Sequence, residues 1–303
     1  MIQSIKVTNY RGESKTFVLP YPEESGYAVK EVQGLGPPRA SINLGDRAQG
    51  DGSVFNSARI GNRNIVLYLI FFADDVEHIR HDSYRLFPLK KEVTIQVTTD
   101  ERVCETTGYV ESNEPVIFSS QEMTQVSILC PDPYFYAVGD AGKRTIPCDL
   151  PNQFEFPFEN ESLTEPTIEF LIRENGAQIE IDNLGDVEIG FTIRIKFKGH
   201  ATGIQIRRAN TQQRMRLDDD IINAIVGGIQ TGDEIVINTR RGSKSIELIR
   251  GGTTYNIINA LKPGATWHQL EVGVNLFEIY ATDGDELNNL SISFEYRLTY
   301  QGV

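Results

Sequence analysis

The chain has 303 residues, of which 40% are hydrophobic and 23% charged, and its 42 acidic and 29 basic side chains leave a net charge of -13. That length holds two domains with separate cores, and the composition is that of a folding globular protein. The acidic excess repels nucleic-acid phosphates, which excludes specific DNA binding, and the longest apolar run, Ile65 to Ala73, is far short of the roughly 20 residues that cross a bilayer as a helix.

The N-terminal stretch MIQSIKVTNY has no basic start followed by an apolar core, so no secretory signal is expected. Its alternation reads as a first strand, followed by KTFVL as a second. From Gly34 to Asn64 the chain runs GLGPPRASINLGDRAQGDGSVFNSARIGNRN, about thirty residues with little strand periodicity. Loops longer than roughly 12 to 15 residues are uncommon inside a compact domain and are usually functional or disordered. Val54, Phe55, Ile60 and the arginines Arg59 and Arg63 are not the composition of a disordered loop. They fit an extended arm lying on a partner, its backbone added to a neighbouring edge and its guanidinium forks reaching carboxylates across the seam. The residues assigned to a subunit interface on this basis are Phe55, Asn56, Arg59, Arg63 and Asn64.

NIVLYLIFF, EVTIQVTT and TQVSILC are further strands, and a helix is predicted from Asp74 to Phe87. Asp74 and Asp75 suit its N-terminus, Val76, Ile79, Ser83, Leu86 and Phe87 fall on one face, and Pro88 ends it. Between Cys130 and Ser162, five prolines and scattered aromatics mark a pinned connector. The predicted organisation is an N-terminal domain over 1–135, a connector over 136–162 and a C-terminal domain over 163–303. In the last of these TIEFLIREN, AQIEIDNLG, GFTIRIKFKG, GIQIRRA, DEIVINT, KSIELIR and LSISFEYRLTY alternate at period two between turn signals, as in an antiparallel sandwich. INAIVGGI is read as a connection or short strand.

No catalytic, cofactor-binding or metal-binding residues are assigned. His78 and His81 lie three apart on the predicted helix but lack HExxH spacing and a third ligand. No GxSxG surrounds a serine, VGDAGKR breaks the P-loop pattern, and Asp218 to Asp220 and Asp283 with Asp285 read as solvated turns. Cys104, Cys130 and Cys148 form no CxxC pair and read as reduced, buried thiols.

The segments carrying GLGPP, FNSAR, FPLKK and CPDPYF resemble the N-terminal domain of siphophage distal tail proteins. GDEIVINTRRGSKSIELIRGG, WHQLEVGVNLFE and the terminal YQGV resemble the C-terminal domain of the same family. The resemblance implies a mainly β protein: an N-terminal β-sheet or sandwich domain with one helix and a belt arm, and a galectin-like antiparallel β-sandwich after it. It further implies a homo-hexameric ring at the distal end of the tail in the virion, assembled in the host cytoplasm. The ring would join the major tail tube protein to the tail-associated hub or fibre protein, carry receptor-binding proteins in some cases, and let DNA pass. A head-to-tail ring needs two different complementary surfaces per subunit, and the long segment supplies one. Two readings from other classes compete: a carbohydrate-binding module using an aromatic such as Trp267 of the C-terminal domain, and a wall hydrolase acting through acidic residues.

Overall fold

A computed structural model describes residues 1–47, 49–139, 144–148, 176–211, 213–282 and 284–303. The chain forms two compact units, Met1–Gly142 together with Thr299–Val303, and Lys143–Leu298. The last five residues, assigned from sequence to the second domain, thus cluster with the first unit. Most of the predicted connector, the strand candidate TIEFLIREN, Asp283 and the side chains of Asp285 and Cys148 lie outside the described residues.

In the first unit the strands are β1 (Ile2–Asn9), β2 (Ser14–Val18), β3 (Tyr27–Gln33), β4 (Ala40–Asp46), β5 (Ser53–Ile60), β6 (Arg63–Phe71), β7 (Glu92–Thr99), β8 (Val103–Val116), β9 (Met123–Cys130) and β10 (Phe135–Ala137). An antiparallel sheet runs in the order β2-β1-β7-β8-β9-β6-β3. Alternation places Ile5 and Val7 of β1, Ile65, Leu67 and Leu69 of β6, and Val93, Ile95 and Val97 of β7 in one core, as period two requires of a half-buried sheet. Its two end strands meet through Phe17 and Tyr27, edge to face at 5.4 Å, so the sheet curls until its edges touch. A short helix, α1 (Pro22–Ser25), not foreseen from sequence, turns the chain between those edges and ends at Gly26, whose φ of 75° is left-handed.

The predicted helix is present as α2 (Val76–Leu86). The Asp75 side chain accepts from the His78 backbone N–H at 3.0 Å, which satisfies one orphan donor of the first turn. Ser83, Leu86 and Phe87 are buried, and Val76 and Ile79 pack on the sheet, so the face read from sequence is the face that packs. His78 and His81 lie on the solvent side, His81 against the Tyr84 ring at 5.9 Å. Cys104 and Cys130 are fully buried, and burial pushes both thiols up to about 11.

The second unit contains β11 (Arg144–Cys148), β12 (Gly176–Asn183), β13 (Thr192–Phe197), β14 (Gln205–Arg208), β15 (Arg214–Arg216), α3 (Asp219–Val226), β16 (Glu234–Asn238), β17 (Ser245–Arg250), β18 (Thr253–Asn256), β19 (Gly273–Tyr280) and β20 (Leu290–Tyr296). These form two antiparallel sheets, β11-β20-β13-β16-β17-β18 and β12-β19-β14-β15. Phe277 of the smaller sheet stacks on Phe294 of the larger at 6.0 Å, with Phe191 against both, so the sheets face each other across an aromatic core as in a sandwich. This is the fold class expected from the alternation of the second half.

One segment differs. INAIVGGI, expected from sequence to be a connection or short strand, is for the most part the helix α3. Asp218 caps its start through the Asp220 N–H at 3.2 Å, and Gly227 ends it at φ 73°. Arg250 donates to the Val226 and Gly228 carbonyls at 2.8 and 2.6 Å and pairs in bidentate fashion with Asp233. The acidic triplet is therefore a cap rather than a solvated turn, and Asp219 accepts from the Gly203 N–H at 2.8 Å.

His268 is 1% exposed. Its Nε2 lies 3.0 Å from the Ile206 carbonyl, its Nδ1 has no hydrogen-bond partner, and its ring meets Phe277 edge-on at 5.5 Å. Burial lowers its pKa below the ordinary histidine value, and nearby Arg208 acts in the same direction. The unfolded chain therefore binds a proton that the folded chain refuses, and stability falls as pH drops below the unfolded value of about 6.5. Urea denaturation at pH 7.5 and 5.5 is expected to show a lower midpoint at the acid pH, and His268→Gln to reduce the difference.

After β20 the chain rejoins the first unit as β21 (Thr299–Tyr300), antiparallel to β10.

Candidate assembly surface

The segment between β3 and β6, read from sequence as an arm with little strand periodicity, is a two-stranded ribbon. Among the described residues β4 and β5 pair only with each other, from Ala40 opposite Ile60 to Asp46 opposite Ser53. The ribbon leaves the sheet at Gly34, whose φ is +85° and whose Cα faces the Asn64 carbonyl so closely that a Cβ would overlap it. Only glycine passes there. The tip turns through Gly50 and Gly52, also at positive φ.

Asn43 is opposite Ser57 but Leu44 is opposite Phe55, so Asn56 is an extra residue, a bulge. The bulge shifts the pleat of β5 by one. Phe55, Ala58 and Ile60 consequently share a face with Leu44, Ile42 and Ala40, while Ser41, Asn43, Ser57 and Arg59 occupy the other. The Asn56 side chain lies over Gly45, where an added Cβ would sit 3.0 Å from its Nδ2.

That face of the ribbon is thus apolar from its root as far as Leu44 and Phe55, with Asp46 and Ser53 continuing it at the tip, and the first unit leaves it in water. Ile42 is 61% exposed, Leu44 56% and Phe55 62%, and of the six apolar residues on this face only Ile60 is half-buried. An isolated two-stranded hairpin is at best marginally stable in water, and contiguous exposed apolar surface marks an interaction site. Phe55, Asn56 and Arg59 all lie on the ribbon, but Phe55 and Arg59 point to opposite faces.

The other two residues assigned from sequence to the interface lie on the sheet itself, at the start of β6. Asn64 is exposed and accepts from the Ser127 hydroxyl at 3.0 Å. Arg63 is 2% exposed, which removes it from any seam. Its side chain falls on the inner face of β6, where the guanidinium donates to four carbonyls: Gly34, Gly36 at 2.7 Å, Pro133 at 2.7 Å and Gln301 at 2.5 Å. It also stacks over the Phe135 ring at 4.5 Å. Burial draws its pKa below the usual arginine value, but arginine remains charged at neutral pH, so carbonyl dipoles hold the cation. Sequence reasoning missed this cluster, because its acceptors are backbone groups with no signature of their own.

Around this cluster, the ribbon root and the chain end lie together. The Val303 N–H donates to the Leu35 carbonyl at 3.1 Å, and a Cβ on Gly302 would come within 2.9 Å of the same oxygen.

The curled sheet with an emergent ribbon, followed by an antiparallel sandwich, matches a solved structure over nearly all of both chains. The crystal structure of the Dit protein of phage SPP1, described as a paradigm of the hub adsorption apparatus in phages infecting Gram-positive bacteria, superposes with a TM-score of 0.62 at 16% identity, covering 97% of this chain and 99% of that one. The fold is that of a phage distal tail protein. A chain of the phage P2 baseplate in its activated conformation is also similar, with a TM-score of 0.49 at 14% identity over the full length of both. No family model and no curated protein matches the sequence. Among the described residues, no group of three or more His, Cys, Asp or Glu side chains is placed to hold a metal ion.

Proposed function

We propose that the chain is a structural, non-enzymatic distal tail protein. Copies would close into a homo-hexameric ring at the tip of a siphophage tail, joining the tail tube protein to the tail-associated hub or fibre protein and letting DNA pass. The observation that carries this reading is the apolar face of the ribbon, Ala40, Ile42, Leu44, Phe55, Ala58 and Ile60, left uncovered by its own chain in a protein with the distal tail fold. A neighbouring copy supplies the missing surface, and because ribbon and receiver differ, the contact is head-to-tail and can close on itself. Arg59 and Asn56, on the opposite face, are placed at the rim of that contact. The net charge of -13 agrees with a channel that does not retain DNA. The sugar-binding reading rests on Trp267, which is half-buried with the Lys244 ammonium 5.4 Å from its ring, and gains no support from an open stacking platform.

The test is mass in solution. Light scattering of the purified protein, alone and with its tail tube partner, is expected to give six times the 34.0 kDa of the chain, or, where the ring closes only on that partner, six chains plus the bound partner. A single-chain mass under both conditions, together with absence of the protein from the tail tip in labelled electron micrographs of virions, would overturn the proposal.

A further inference from the structure

The root of the ribbon is held by residues from the far end of the sequence. Gly34 and Gly36, which flank buried Leu35, give their carbonyls to the Arg63 guanidinium, and the same guanidinium takes the carbonyl of Gln301. Val303 adds its N–H to the Leu35 carbonyl, Gly302 fits against Leu35 and Gly36 only because it has no side chain, and β21 is sewn to β10 by Phe135 opposite Tyr300 and Tyr136 opposite Thr299. Phe135, fully buried, is the ring on which Arg63 stacks. The strap thus binds backbone of the segment from which the ribbon departs.

We infer that Gln301–Val303, acting through Arg63, form a positioning strap that sets the direction in which the ribbon leaves the sheet. The inference rests on the ribbon being the assembly arm. Among the described residues the hairpin pairs only with itself, so its direction is fixed at its root, and the root carbonyls are fixed by a guanidinium whose planar fork holds acceptors at set angles. An arm already aimed loses less orientational freedom when a neighbour binds it, which favours assembly without adding a contact to the seam. It follows that changes within Gln301–Val303 act on assembly from a distance, through the aim of the ribbon.

The experiment measures aim and assembly separately. Spin labels at Asp51→Cys on the ribbon tip and Thr107→Cys on β8, both exposed positions, report the distance distribution in dilute monomer; Cys148→Ser removes one competing thiol, and Cys104 and Cys130 are buried. The full chain is expected to give one narrow distribution. A chain ending at Tyr300, and the full-length Gly302→Val variant, are expected to give broad ones, with the concentration at half-assembly raised about tenfold or more. Equally narrow distributions in the variants, or an unchanged half-assembly concentration, would overturn the inference. So would loss of folding in both variants, since the strap would then be part of the core. If the full chain forms no ring but the variants still broaden the distribution, the assembly reading fails and the strap stands.

Discussion

Replacing Arg63 with methionine is expected to destabilise the first unit by about 3–5 kcal/mol. Methionine fills much of the same volume and can still pack on Phe135, so the loss is mainly that of donors. Four backbone carbonyls, of Gly34, Gly36, Pro133 and Gln301, would lose the group that now satisfies them, at a part-buried site around a buried side chain. Each unsatisfied buried acceptor costs about 1–3 kcal/mol, and removing a poorly solvated cation returns part of the total, which keeps the estimate below the simple sum. The control is Arg59→Met, an exposed position on the ribbon, where a change within about 0.5 kcal/mol is expected. Urea denaturation of both variants, followed by a probe of the first unit, decides the matter. Equal midpoints would mean that the Arg63 cluster holds nothing together.

The second large effect concerns assembly. In a double variant, Leu44→Ser with Phe55→Ser, two large exposed side chains of the apolar face are lost from a cross-strand pair. Burying either one against a neighbour contributes about 1.5–3 kcal/mol, so each seam would lose about 3–6 kcal/mol, and a ring repeats that loss at every seam. The expected product is a monomer. Its thermal midpoint should match that of dissociated wild-type protein, since neither side chain contributes to the core of its own chain. Arg59→Glu, on the opposite face, should weaken assembly far less. A ring that survives the double variant would mean that the apolar face is covered by something other than a sister copy.

Much of the architecture was readable because its cause is local. Segments such as EVTIQVTT and DEIVINT bury every second residue, and alternation in the chain becomes alternation across the sheet wherever one face meets a core. The helix following Asp75 was legible for the same reason, a cap followed by apolar residues on one face. α3 was missed because its branched residues weigh toward strand, whereas its caps at Asp218 and Gly227 and the Arg250 contacts at its end hold it as helix.

The ribbon shows where local reading fails. Its importance was visible in its length and in Phe55, but its strands were not, because the bulge at Asn56 puts Phe55 and Ala58 on one face although they are three residues apart. A period-two scan rejects such a strand, and the same bulge separates Phe55 from Arg59, which even spacing would have placed together.

By itself, the sequence determined a mainly β chain with a helix over the first sheet, a sandwich in the second half, buried thiols at Cys104 and Cys130, and an unusually long segment before β6. The tertiary structure decided which face of that segment is apolar, and that Arg63 lies inside rather than at a seam. Side-chain periodicity is set by neighbours along the chain, whereas the acceptors around Arg63 include a carbonyl 238 residues away, which only the completed fold brings within reach.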